Sequence, residues 1–193
     1  MSDTNKVKFG LSKCYYAVAT IDANGEATYA TPVALPGAVS IALDPRGSLS
    51  PFRADNMDYW VGNNNQGYSG DLEVAYIPDA FRTAILGDQV DSSSGLQYEA
   101  VQTEVKHFAL LFEFLNDAKR TRHVLYNCVA SRPSVASQTT DEEIEPQTET
   151  LSLTCGSIYV ADSDVEKDVV KGKMTEGDTG YASFFTAVVQ PTA

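Results

Sequence analysis

The 193-residue sequence has no apolar run long enough to cross a membrane, and residues 1–8 lack the apolar segment of a secretion signal. We therefore expect a soluble protein that folds in the cytoplasm and has no membrane partner. Basic residues are also scarce, because 14 Lys and Arg stand against 26 Asp and Glu, for a net charge of -12. So negative a chain repels a phosphate backbone, which disfavours a conventional DNA-binding function.

Cysteine and histidine are few. Three cysteines, Cys14, Cys128 and Cys155, are odd in number and widely spaced, which argues against a disulfide framework and for reduced, buried thiols. The two histidines, His107 and His123, are predicted on opposite faces of one hairpin, where they cannot share a metal. We expect no metal site and no cofactor.

The motifs of common enzyme classes are missing as well. The chain has no Walker loop, no G-x-S-x-G turn and no H-E-x-x-H helix. Adjacent acids such as Asp71 with Glu73 lack any sign of the burial that would separate their pKa values for acid and base roles. We therefore predict that the protein is not an enzyme.

The residues that are present favour strands. Ten Tyr and eight Phe, together with many Val and Thr, tilt the composition toward β-structure. At this length the chain suits a single domain, residues 1–193, with one core. The predicted fold is mainly β: a β-sandwich or partly closed barrel with one or two short flanking α-helices and long loops between the strands.

A central hairpin is the clearest element. Residues 107–115 and 120–128 are two strand-like runs joined by a polar turn. If Asp117 and Ala118 form a two-residue turn, the hairpin register follows. It predicts the cross-strand pairs Asn116–Lys119, Glu113–Arg122, Phe112–His123, Leu110–Leu125 and His107–Cys128.

Other segments are assigned from turn residues and periodicity. Strands are predicted over residues 14–21, 27–31, 38–43, 58–61, 68–77, 147–154 and 187–189, a short helix over 78–87, a hairpin over 88–98, and a turn that carries Tyr181, Phe184 and Phe185. Residues 44–58 lack clear periodicity and are predicted to leave the sandwich as a long excursion. Residues 131–146 form a second excursion, whose acidic run is either a solvated loop or a contact with Lys119, Arg120 and Arg122 of another copy.

Nine short phrases of the chain, in order, closely resemble the major tail proteins of long-tailed phages of Gram-positive bacteria. They are KVKFGL (6–11), YYA (15–17), PGAVS (36–40), YSGDLE (68–73), IPDAFRT (77–83), FALLFEF (108–114), RHVLYNC (122–128), RPS (132–134) and IEPQT (144–148). The resemblance covers nearly the whole chain, while residues 156–177 match no pattern of this family.

The resemblance implies a tail tube subunit of the virion, made in the host cytoplasm. Six copies would close into a ring, and rings would stack into a hollow tube that conducts the genome into the host cell. The implied partners are the protein itself, a tape measure protein, a tail terminator and distal tail or baseplate proteins. Genomic double-stranded DNA would pass through without specific binding, which suits a negative chain.

Two sets of site residues follow from this hypothesis. Candidate lumen-facing acids, on outward faces of the 71–77 strand and the central hairpin, are Asp71, Glu73 and Glu113. The excursions 44–67 and 131–146 are expected to make contacts between subunits. The candidate contact residues are Arg46, Arg53, Tyr59, Trp60, Lys119, Arg120, Asp141, Glu142 and Glu143.

Two alternatives remain open at this stage. The same fold could form the inner tube of a contractile injection device, which only neighbouring genes for a sheath would distinguish. Alternatively, the chain could be a glycan-binding β-sandwich module, which predicts an exposed aromatic groove and does not need rings.

Overall fold

The computed structural model describes residues 4–139, 146–162 and 165–191. The chain is mainly β, with 49% of residues in strands and 5% in helix, as the composition predicts. Its main element is a large antiparallel sheet that is not closed into a barrel, in a sandwich-like arrangement.

In the part of the chain that the structure describes, nine strands build the main sheet. These strands are β1 (Leu11–Ile21), β2 (Ala27–Tyr29), β3 (Val33–Ala34), β4 (Ala38–Pro45), β7 (Tyr68–Val74), β10 (Phe108–Phe114), β11 (Thr121–Ala130), β12 (Glu149–Gly156) and β15 (Lys171–Thr175). Their order in the sheet is β2-β1-β10-β11-β12-β7-β4, with β15 added to β11 and β3 added to β1. The same described residues form three two-stranded sheets: β5 (Leu49–Ala54) with β6 (Met57–Asn63), β8 (Gln89–Val90) with β9 (Gln97–Tyr98), and β13 (Ile158–Asp162) with β14 (Val165–Val169).

The central hairpin, β10 with β11, has the predicted register along most of its length. Leu110 lies opposite Leu125, Phe112 opposite His123 and Glu113 opposite Arg122. The predicted pair of His107 with Cys128 is wrong, because an irregularity between Phe108 and Leu110 shifts the ladder and places Phe108 opposite Cys128.

Strand β10 is buried on both faces, which explains its nearly continuous apolar sequence. Phe108, Leu110 and Phe112 pack into the larger hydrophobic cluster with the helical segment, whereas Ala109 and Leu111 pack into a second cluster on the other face. The main sheet is therefore covered on both sides at its centre.

The short helix forms where the sequence predicts it. Helix α1 (Asp79–Phe81) continues as a π-helical turn (Arg82–Leu86) and ends at Gly87, whose φ of 83° lies in the left-handed region. Phe81 and Ile85 are fully buried against the larger cluster. The hairpin over residues 88–98 is likewise confirmed.

The end of the described chain differs from the prediction. Residues 187–189 are not a strand. The preceding residues instead form successive turns that insert Phe184 into the second cluster, with Phe185 and Val188 packed beside it. Apolar residues at this edge thus cover the sheet without joining its hydrogen-bond ladder.

Candidate functional site

A projecting β-hairpin occupies the first excursion, where the sequence shows no clear periodicity over residues 44–58 and predicts a strand only over residues 58–61. Strands β5 and β6, residues 49–63, form a two-stranded ribbon that we call the arm. The turn at its tip contains Asp55 and Asn56, whose φ angles of 51° and 63° are both left-handed, the geometry of a tight hairpin turn.

The arm prolongs the ladder between β4 and β7. Beyond the last pair of that ladder, the Arg46 amide donates to the Gly67 carbonyl at 2.7 Å, and the Gln66 amide donates to the Arg46 carbonyl at 3.0 Å. At this neck a Cβ on Gly47 would lie 1.8 Å from the Asn64 carbonyl oxygen, and the Gly47 φ is 114°. Only glycine fits such a close approach of two backbones, so the neck fixes where the arm leaves the body.

The arm exposes large apolar side chains that a monomer leaves in water. Phe52, Tyr59 and Trp60 are 59%, 69% and 61% exposed. The other exposed members are Leu49, Met57 and Val61. Phe52 lies directly opposite Trp60 across the two strands, and the register puts Pro51 opposite Val61 on the other face. Both faces of the ribbon therefore carry apolar surface.

Two further contacts order the arm. A Cβ on Gly62 would lie 2.4 Å from the Trp60 ring, so the absence of a side chain at Gly62 makes room for the indole. Arg53 Nε donates to Asp58 Oδ1 at 2.9 Å between exposed side chains. Exposed salt bridges of this kind contribute little stability.

Four of the predicted contact residues are brought together here. Arg53, Tyr59 and Trp60 lie on the arm, and Arg46 lies at its neck. Leu49, Phe52, Met57 and Val61 also lie on the arm and were not among the predicted contact residues. One sequence signal could have identified this hairpin. After the turn residues Asp55 and Asn56, the apolar residues Met57, Tyr59 and Val61 alternate with polar or aromatic neighbours.

The second set of predicted contacts lies elsewhere. Lys119 and Arg120 follow the tip of the central hairpin, where the Asn5 side chain bonds the Lys119 backbone and Asp117 accepts from the Lys6 amide. Asp141, Glu142 and Glu143 lie outside the described residues. Arg122, proposed as part of the same basic patch, is buried, so that part of the prediction is wrong.

Two carboxylates on the outward side of β7, those of Asp71 and Glu73, form an acidic face between β4 and β12. Asp71 and Glu73 share the outward side of β7, because Leu72 between them points into the larger cluster. Ser152 donates to Asp71 at 2.6 Å, and Thr148 and Ser40 donate to Glu73 at 2.6 and 2.9 Å. The hydrogen bonds from Thr148, and then from Ser40, lower the pKa of Glu73, which stays ionised at neutral pH.

Glu113 does not belong to this acidic face. We predicted an exposed carboxylate, but the Glu113 side chain is fully buried, so it cannot line a lumen in this conformation. Tyr181 from the C-terminal turns donates to it at 3.2 Å, and Arg122 donates at 2.9 Å. Glu113 is buried for a tertiary reason, since the C-terminal turns fold over this part of the hairpin.

No protein-family model matches the chain, and no curated protein matches it. Within the described ranges, no helix is long and apolar enough to cross a membrane. Among those same residues no group of at least 3 His, Cys, Asp or Glu is placed to hold a metal ion.

Proposed function

We propose that this protein is a structural subunit of a phage tail tube, which closes into six-membered rings that stack into a conduit for the genome. The observation that carries the proposal is the arm. A two-stranded ribbon is marginally stable in water by itself, and this one has exposed apolar side chains on both faces. Such a surface requires a partner to cover it.

The partner that we propose is another copy of the chain. An arm that leaves the body at one edge is suited to a head-to-tail contact, in which one surface of a subunit meets a different surface of the next. Head-to-tail contacts close into rings when the rotation between subunits closes, and otherwise they grow into filaments. Both ring closure and stacking use contacts of this type.

Charge supports the same proposal. The chain has a net charge of -12, and Asp71 and Glu73 place carboxylates side by side on one sheet face. A conduit lined by such a face repels the DNA backbone and lets it slide without counterion-releasing phosphate contacts. The proposal also includes the partners that the resemblance implies, namely tape measure, tail terminator and distal tail or baseplate proteins, and a location in the virion after assembly in the host cytoplasm.

A glycan-binding module is the second candidate, favoured by the exposed Trp60 and Tyr59 rings. Aromatic faces of this kind can stack on sugar rings. This candidate predicts saturable glycan binding by a monomer, whereas a tube subunit covers the same rings by self-association. The inner tube of a contractile device is a variant of the main proposal that differs in its sheath.

Negative-stain electron microscopy of the purified protein across a concentration series, with its solution mass, tests the proposal. We expect six-membered rings or hollow tubes that become more abundant with concentration. The variant Phe52→Ser with Trp60→Ser should remain folded by circular dichroism but stay monomeric.

A matched control removes two exposed apolar side chains outside the arm, Leu96 and Val101, which are 63% and 88% exposed. The variant Leu96→Ser with Val101→Ser should assemble like the wild type. Assembly by the arm variant would contradict the role of the arm. A wild type that stays monomeric and binds a glycan saturably, with loss of binding in the arm variant, would favour the glycan-binding module.

A further inference from the structure

Two cysteines that are far apart in the sequence lie side by side in the core. Cys128 on β11 is directly opposite Cys155 on β12, and their sulfur atoms are 2.8 Å apart. Both side chains are fully buried in the larger hydrophobic cluster. The third cysteine, Cys14 on β1, belongs to the same cluster but lies on a strand that does not pair with either β11 or β12.

The ladder geometry suits a covalent bond between them. The Ser131 amide donates to the Ser152 carbonyl at 2.9 Å, which marks a hydrogen-bonded pair at that position. Because the two kinds of pair alternate, the pair of Cys128 with Cys155, three positions away, is of the closer, non-hydrogen-bonded kind. Directly opposite residues of that kind have Cα atoms about 4.5 Å apart, within the range of disulfides.

The surroundings disfavour other roles for these thiols. No third His, Cys, Asp or Glu joins them among the described residues, so a zinc site would lack half of its ligands. Burial and the neighbouring Cys155 raise the pKa of Cys128, so its thiolate is scarce in the closed structure and a nucleophilic role is disfavoured. The remaining chemistry of two adjacent thiols is their oxidation to a disulfide.

We propose that Cys128 and Cys155 are a modification site that forms a reversible cross-strand disulfide when the folded protein meets a low-molecular-weight disulfide. One thiolate attacks the reagent and releases one small thiol, and the second thiolate then displaces the other. The two cysteines lose two protons and two electrons in total, and the reagent gains them as two thiols.

The position of the pair in the sheet explains access. The β11–β12 ladder ends one pair further on, at Asn127 opposite Gly156, because the first half of β11 pairs with β15 instead. Strand ends open more readily than strand centres, so local separation exposes the thiols for short periods.

The disulfide has a structural consequence for the second excursion. It would close the chain from Cys128 to Cys155, which includes the second excursion, into one covalent loop. In a reducing cytoplasm the thiols stay reduced, and oxidation follows once the protein reaches oxidising surroundings. That timing rests on the proposed virion function, whereas the bond itself does not.

Peptide mapping after oxidation tests the proposal. The folded protein is incubated with 2-hydroxyethyl disulfide, its remaining thiols are alkylated in denaturant, and it is digested with trypsin and a Glu-specific protease. Trypsin alone is insufficient, because Pro133 protects Arg132 and both cysteines stay on one peptide. We expect a peptide that contains Cys128 linked to one that contains Cys155, an intact mass lower by about 2 Da before alkylation, and a single alkylated thiol, Cys14.

Two variants sharpen the result. Cys14→Ala should give the same linked peptides with no alkylated thiol. Cys155→Ala should lose the decrease of about 2 Da, because Cys128 alone can form only a mixed disulfide with the reagent. If Cys155→Ala does not fold, the wild-type map decides alone. Recovery of Cys128 and Cys155 as alkylated thiols, under conditions that oxidise the unfolded chain, would overturn the proposal. A bond to Cys14 or between two chains would overturn it as well. None of these outcomes depends on whether the protein forms tubes.

Discussion

Arg122 donates from Nε to Oε2 of Glu113 at 2.9 Å, and this pair lies inside the protein, because the Glu113 side chain is fully buried. Lys13 Nζ lies 3.3 Å from the other carboxylate oxygen. The Arg122 guanidinium also stacks against the rings of Tyr181 and Phe185. One buried carboxylate therefore joins β1, β10, β11 and the C-terminal turns.

The first prediction concerns this pair. Glu113→Gln keeps the shape of the side chain but removes its charge, which leaves the buried Arg122 uncompensated. Breaking a buried ion pair in this way costs about 3 kcal/mol of unfolding free energy. Urea denaturation measures the loss. Glu104→Gln, at an exposed position, is the control and should change the unfolding free energy by less than about 0.5 kcal/mol. Equal effects of the two variants would contradict the structural importance of the pair.

The second prediction concerns pH. Burial, followed by the positive charges of Lys173, Lys171 and Lys8, lowers the pKa of His123 to about 4. The unfolded chain has a histidine pKa of about 6.5, so between these values it binds a proton that the folded chain does not. The contribution of neutral His123 to stability is therefore present at neutral pH and is lost as the pH falls from about 6.5 to about 4.

Urea denaturation at pH 7 and pH 5 measures this effect. The wild type should be less stable at pH 5, and His123→Asn, which does not titrate, should show a smaller difference between the two values. Glu113 does not interfere in this window. Burial raises its pKa, but the hydrogen bonds from Arg122 and Lys13 outweigh burial and hold the pKa below its ordinary value. The stability that Glu113 contributes is thus lost only at more acidic pH. If the unfolding free energy of His123→Asn depends on pH as strongly as that of the wild type, the prediction is wrong.

The third prediction concerns the neck of the arm. Gly47→Ala places a Cβ 1.8 Å from a backbone oxygen of Asn64, so the arm must shift. Gly177→Ala is a close control, because Gly177 has a φ of 108° against 114° at Gly47 but no atom within 4 Å of its Cβ. We expect both variants to fold and only Gly47→Ala to lose rings or tubes in electron micrographs. Tubes of normal yield from Gly47→Ala would show that the position of the arm does not matter for assembly.

The fourth prediction concerns the acidic face. If Asp71 and Glu73 line the lumen, Asp71→Lys with Glu73→Lys should slow genome ejection, because lysines hold the DNA backbone by counterion release. Glu26→Lys with Glu104→Lys makes the same change in net charge on other, exposed elements and should leave ejection unchanged. The measurement is the rate of genome ejection, monitored as the DNA released from assembled particles. Equal rates for the acidic-face variant and the wild type would place these acids outside the lumen.

The structural features that depend on local sequence patterns were predicted correctly. The mainly β class, the register of β10 with β11 near their turn, and the short helix that ends at Gly87 all follow from periodicity and turn residues. The outward side of Asp71 and Glu73 likewise follows from strand alternation around Leu72. Interactions between neighbours in sequence or across a tight turn are sufficient for these features.

Features that depend on distant segments required the tertiary structure. Glu113 is buried because the C-terminal turns cover it, and nothing in the sequence of β10 indicates that Glu113 is covered. The excursion after β4 forms the arm because β4 and β7 set its two ends side by side. Cys128 and Cys155 meet because β11 and β12 pair. The sequence alone determined which residues prefer strands and turns, whereas the contacts between remote strands decided which side chains are buried, exposed or adjacent.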